Sequence, residues 1–161
     1  MKKTMYLIAA CLLGISLSLS ACSKKIEVPA KVQSQFTKMF PDASKVKWSK
    51  ESETEFEAEF RLAGEEASAN FSMDGTWVET EKEISAKSLP SAVKNALDTQ
   101  YKDYKTGEVA FTETAEGESF YEMELKKGKE EMIIHVSADG KVLKMETEED
   151  EHNEEGEEGE E

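Results

Sequence analysis

Two histidines and two cysteines bound the chemistry that this 161-residue chain can carry. His152 lies in an acidic tail, and His135 lies in a strand-like run whose alternation turns it to an open face. A Ser-His-Asp arrangement needs a base held by an orienting acid beside its nucleophile, and no Gly-x-Ser-x-Gly turn occurs to present one. A structural or catalytic zinc needs three or four convergent His or Cys ligands, more than this set provides. Gly64, Gly75, Gly128 and Gly140 stand singly between strand-like runs, so none belongs to a phosphate-cradling loop. Carboxylates are abundant, but glycosidase-type acid–base work needs a cleft and one raised pKa, whereas these alternate along a solvated face. The remaining candidate is a repeated Asp-Gly: FSMDGTWVETE, Phe71 to Glu81, returns 65 residues later as VSADGKVLKME, Val136 to Glu146. A calcium loop needs six to eight converging oxygens. Asp74 and Asp139 each bring one carboxylate, so both read as turns. The chain is expected to be no enzyme and to hold no metal or cofactor.

The elements around these turns repeat as well. Val28-Pro29 matches Leu89-Pro90, and Phe36, Phe40 and Asp42 match Leu97, Tyr101 and Asp103, all at an offset of 61. Val32, Phe36 and Phe40 are spaced by four, as are Val93, Leu97 and Tyr101, which predicts one apolar stripe on a three-turn helix in each copy. The period then becomes two. The expected inward residues are Val46 and Trp48, Phe56-Ala58-Phe60-Leu62 and Ala67-Ala69-Phe71 in the first copy. In the second they are Val109-Phe111, Tyr121-Met123-Leu125, Met132-Ile134-Val136 and Leu143-Met145. Such alternation marks antiparallel strands with one wet face. Two-residue type I′ loops at Ala63-Gly64, Asp74-Gly75 and Asp139-Gly140 would pair Phe60 with Ala67, Phe71 with Val78 and Val136 with Leu143. The expected fold is α+β: a tandem duplication of a helix plus a four-stranded antiparallel unit, forming one sheet with both helices packed on one face. Residues 28–147 make this domain, with repeats at 28–84 and 89–147.

This order of elements, with its Val-Pro and Leu-Pro helix starts and strand-Asp-Gly-strand endings, resembles the PepSY-like family of exported bacterial proteins, whose fold is similar to that of the β-lactamase inhibitory protein. The resemblance covers Ile26 to about Thr147. It implies a noncatalytic protein- or peptide-binding module that restrains a protease or another envelope enzyme, and it brings no reactive motif. Trp77, Phe120, Ile133 and Val142 are the apolar residues that alternation places on the open face, with His135 among them. They form the expected partner-binding surface.

The chain ends give an address. Lys2 and Lys3 precede an apolar run from Met5 through Leu19, the layout of a secretory signal over residues 1–21. Leu19-Ser20-Ala21-Cys22 resembles the lipobox of bacterial lipoproteins, which implies lipidation of Cys22, a membrane partner reached through that lipid, and a linker over residues 22–27. Ser23 resembles the default pattern for sorting to the outer membrane, facing the periplasm rather than the cell surface. Residues 148–161 contain ten acidic residues and nothing apolar, so they read as a disordered tail. Without the tail's ten negative charges and the signal's two lysines, the formal charge moves from -15 to -7, which argues against nucleic acid as a partner. A competing reading is a ligand- or cation-handling envelope protein that uses the acidic tail and the sheet surface. The tail is expected to bind divalent cations only weakly. Calcium titration of the chain with and without residues 148–161 checks this, and a sub-micromolar affinity lost with the tail would refute it.

Overall fold

The computed structural model describes residues 26–147. The signal segment, Cys22, and the acidic tail with His152 lie outside the described residues. The order is α1 (Ala30–Met39), β1 (Ser44–Lys50), β2 (Glu55–Leu62), β3 (Glu65–Ser72), β4 (Trp77–Glu83), a single 3-10 turn (Ala86–Ser88), α2 (Ser91–Gln100), β5 (Lys105–Thr114), β6 (Ser119–Lys127), β7 (Glu130–Val136) and β8 (Val142–Thr147). The fold is therefore α+β, with one eight-stranded sheet in the order β1-β2-β3-β4-β5-β6-β7-β8. Two compact units share it. The first runs through Gly64 and includes Ser68–Val78, and the second holds Glu65–Ala67 and everything from Glu79 onward.

Each helix begins just after a proline. Pro29 and Pro90 occupy the N-cap positions, where a missing amide hydrogen costs nothing, and Pro29 O accepts from the amides of Val32 and Gln33. The predicted stripes then meet the strands of their own unit. In the first unit Phe36 stands edge-on to Phe60 and Trp48, with ring centroids 5.1 and 5.2 Å apart, and Phe40 lies 4.7 Å from Phe60. Such aromatic pairs add about 0.5–1.5 kcal/mol each beyond the area they bury. In the second unit the filling is mostly aliphatic: Leu89 and Val93 pack with Val109, Met123, Leu125, Met132, Ile134 and Val136.

The loops decide which residues reach these cores. Ala63 and Gly64 both have positive φ, 54° and 93°, which is the type I′ geometry expected of a two-residue hairpin. The Asp-Gly loops differ from expectation. Only Gly75 and Gly140 have positive φ, and the hydrogen bonds Ser72 N to Thr76 O and Gly75 N to Ser72 O, 2.9 and 2.8 Å, enclose three residues, Met73-Asp74-Gly75. Ser137 and Lys141 enclose Ala138-Asp139-Gly140 in the same way. Because glycine alone adopts the left-handed region, the aspartate is spared a cost of roughly 1–2 kcal/mol.

The longer loop changes the register. Val136 pairs with Val142 rather than with Leu143, and a bulge then restores the pairing of Ile134 with Met145 and of His135 with Lys144. Val142 consequently packs against the second core and Leu143 is 51% exposed, while Met145 keeps its expected pairing with Ile134 but, on the last strand of the sheet, is 54% exposed instead of buried. Val46 is also exposed rather than inward, because β1 shifts register between Ser44 and Lys47, with Lys45 at φ 56°.

A Cβ on Gly140 would stand 2.6 Å from the backbone oxygen of Ala92, whereas one on Gly64 would meet nothing within 4 Å. Gly64→Ala is thus expected to cost about 1 kcal/mol from its φ alone, and Gly140→Ala about 3 kcal/mol from φ plus overpacking. Chemical denaturation of the two variants checks the difference, and equal losses would contradict it.

Candidate functional site

Strand alternation and register define the open face of the second unit, opposite its core. β4 contributes Glu79, Glu81 and Glu83, which pair with Thr114, Thr112 and Ala110 of β5. Thr112 pairs onward with Phe120, and Ala110 with Glu122 of β6. Glu122 then pairs with His135 and Glu124 with Ile133 on β7, and Lys144 and Glu146 of β8 pair with His135 and Ile133. The face is therefore a lattice of charged, hydroxyl and apolar side chains rather than a wet row of carboxylates.

Its centre is a ring pair. Phe120 and His135 stack with centroids 4.5 Å apart and planes 10° from parallel. His135 is only 7% exposed, so the expectation that it stands open to solvent is corrected: the stacked ring and its strand neighbours cover it. Its Nε2 lies 3.3 Å from Glu122 Oε2, close enough for an ion pair when the imidazole is protonated but off the line a hydrogen bond needs. Thr112 and Thr114, 1% and 5% exposed, hold hydroxyls on the same face. The Oγ1 atoms of both threonines and Nε2 of His135 are buried without a hydrogen-bond partner. An unpaired buried polar atom costs about 1–3 kcal/mol, so the two threonine hydroxyls are a local expense, whereas His135 Nε2 still faces the Glu122 carboxylate.

Of the five residues expected to form a partner surface, Phe120, Ile133 and His135 share this face. Val142 does not, since the three-residue loop turns it to the core. Trp77 begins β4 within the first unit and is partly buried. Sequence reasoning missed Thr112, Thr114 and Glu122, because polar residues at outward positions carry no signal that neighbours will cover them.

The Asp-Gly carboxylates are occupied by their own loops. Asp74 Oδ1 accepts from Ser72 Oγ at 2.6 Å and from the Thr76 amide at 2.9 Å, and these bonds hold its pKa down to about 2. Asp139 accepts from Ser137 Oγ, and that bond, followed by the Lys141 amide, lowers its pKa. Among the described residues no group of three or more His, Cys, Asp and Glu side chains could hold a metal ion.

The family model described as "Putative beta-lactamase-inhibitor-like, PepSY-like" matches residues 54–144, more than half of the sequence. The chain belongs to this PepSY-like family. No curated protein matches it. Among solved structures it is similar to a DUF2874 family protein from Bacteroides ovatus, with 25% identity and TM-score 0.69 over 76% of this chain and 89% of that one. It is likewise similar to a BLIP-like protein from Bacteroides fragilis, with 20% identity and TM-score 0.66 over 78% and 89%. A protein from Bacteroides eggerthii described as "putative periplasmic" shares 23% identity at TM-score 0.69 over 75% and 89%. The last two show a common fold alone.

The first unit of this PepSY-like chain also sinks a polar group into its outward strand positions. Glu57 is 7% exposed and accepts from Ser49 Oγ at 3.0 Å. Burial raises its pKa, and the Ser49 hydroxyl partly offsets that. A carboxyl whose folded pKa is raised costs stability above that pKa, and the cost disappears once pH falls below the unfolded value, near 4.3. Glu57→Gln is therefore expected to raise Tm at pH 7, with the gain vanishing toward pH 4. Thermal unfolding across this range checks it, and a gain that grows toward acid would contradict the sign.

Proposed function

We propose that this chain is a noncatalytic cell-envelope lipoprotein whose second unit binds a segment of another protein through its open sheet face. One observation carries the reading: the stacked Phe120–His135 pair, flanked by Ile133, shares its face with the buried hydroxyls of Thr112 and Thr114, which have no hydrogen-bond partner within the described chain. A fold that tolerates such a cost has a use for those atoms, and aromatic and apolar groups next to unsatisfied hydrogen-bonding groups suit a protein contact. The family description, beta-lactamase-inhibitor-like, supports binding over catalysis, and restraint of a protease or another envelope enzyme is the activity that best fits it.

The lipobox-like sequence ending at Cys22 supports a lipid anchor for this domain, and Ser23 supports the periplasmic side of the outer membrane. Several acyl chains on one cysteine, at about 0.8 kcal/mol per buried methylene, would hold the protein at a bilayer without a spanning helix. The recurrence of helix and four strands, with equivalent prolines and equivalent Asp-Gly loops, supports an origin by tandem duplication of one unit.

Phe120 and Ile133 lie outside the second unit's buried core, so their truncation tests binding apart from folding. Phe120→Ala combined with Ile133→Ala is expected to abolish capture of the partner protein from envelope membranes, and its reconstituted binding in purified form, while Tm changes little. Unchanged capture, or a loss that follows unfolding, would defeat the proposal.

A further inference from the structure

One row of the second core runs out of cover. Val109, Met123, Ile134 and Met145 are direct cross-strand neighbours from β5 to β8. The first three are buried, whereas Met145 is more than half exposed. The row stops there because β8 is the last strand, with a hydrogen-bonded neighbour on one side only among the described strands. Such an edge presents backbone donors and acceptors to another strand, beside a side chain that already belongs to an apolar layer. The residues on either side of Met145 lie on the opposite face and are charged: Lys144 and Glu146, which pair with each other.

We propose that the occupant of this edge is β8 of a second copy of the chain, paired antiparallel about a two-fold axis at Met145. In that register Met145 meets its own counterpart, so the apolar row continues through the axis into the core of the other copy. The same register sets Lys144 opposite the other copy's Glu146, twice over. Moving the axis by one residue sets Lys144 against Lys144 or Glu146 against Glu146, and like charges directly opposite are destabilising. Moving it by half a residue turns the apolar row of one copy against the charged row of the other. Apolar continuity and charge complementarity therefore select one register. The pairing within each strand can persist, since an ammonium has three donors and a carboxylate accepts more than one bond. Antiparallel pairing also sends the acidic segments that follow Thr147 out at opposite ends of the ladder, about 20 Å apart at roughly 3.4 Å per residue, beyond the Debye length of about 8 Å. A parallel pair would bring them side by side. The bulge after Val142 keeps the ladder short, and bulge and lysine together deter strands that lack the matching glutamate. The pairing uses neither Phe120 nor Ile133, so it stands apart from the role of the open face.

Oxidative crosslinking of the full-length chain in envelope membranes tests the register. Directly opposed residues lie within disulfide reach, so Met145→Cys is expected to give a dimer joined through the two introduced cysteines. Leu143→Cys is not, because its counterpart lies four residues away along the ladder. The unsubstituted chain reports the background from Cys11 and Cys22. Sedimentation equilibrium in mild detergent tests the charges. Lys144→Glu or Glu146→Lys alone should weaken association about tenfold by setting like charges opposite, and the two together should restore it, with Tm measured for each variant. The proposal is overturned if the parent chain stays monomeric, if both cysteine positions crosslink equally, if the double variant associates as weakly as the single ones, or if the loss follows unfolding. It is also overturned if Met145→Cys links to a different envelope protein in place of a second copy, an outcome that assigns the edge to a foreign strand.

Discussion

Each Asp-Gly loop is pressed against the first turn of the helix in its own unit, and much of the structure follows from that contact. A Cβ at Gly75 would lie 3.1 Å from the carbonyl oxygen of Lys31, and one at Gly140 2.6 Å from that of Ala92. Lys31 and Ala92 are equivalent positions of α1 and α2. Glycine is therefore required for two reasons, close approach and positive φ, and the chain reaches that geometry with a three-residue loop. The neighbouring aspartates accept hydrogen bonds from Ser72 and Thr76, or from Ser137 and Lys141, so their carboxylates are structural ligands of the backbone. What looked like repeated chemistry in the sequence is a repeated clamp between hairpin and helix.

The same clamp governs the composition of the sheet faces. An odd-numbered loop exchanges inward and outward residues unless a bulge intervenes. In β8 the bulge comes after Val142, so Val142 joins the core while Lys144 returns to the open face opposite His135. That return assembles the row Ala110–Glu122–His135–Lys144 across four strands. The function proposed for this PepSY-like chain thus resides in a surface and not in a reactive group. The surface is specified by cross-strand neighbours that lie far apart in sequence.

The open face also shows how a solvated-looking pattern can conceal buried polarity. Thr112, Thr114 and His135 occupy outward positions, yet neighbouring side chains exclude water from them. Leaving their polar atoms unmatched lowers the stability of the free fold, and a ligand that supplies the missing partners recovers that loss on binding. This is a physical reason for placing the function here rather than on the exposed apolar residues of β8. Leu143 and Met145 are exposed at the last strand of the sheet.

Local information was enough for most of the architecture. The four-residue spacing of Val32, Phe36 and Phe40, the period of two through Phe56-Ala58-Phe60, and the prolines before each helix act within a few residues, so element order and the central core were legible directly. Ala63-Gly64 was legible too, since a two-residue loop is set by its own φ values. The loop length at Asp74-Gly75 and Asp139-Gly140 was not. It depends on the approach of a helix some 44 to 48 residues away in sequence, from Lys31 to Gly75 and from Ala92 to Gly140. The coverage of His135, Thr112 and Thr114 was equally hidden, because burial of an outward residue depends on which side chains neighbouring strands bring beside it. By itself the sequence determined the helices, the strands and the absence of a nucleophile motif, all of which rest on local periodicity and residue type. Only the tertiary structure decided which polar groups lose water, because that follows from packing between strands and not from any stretch of chain.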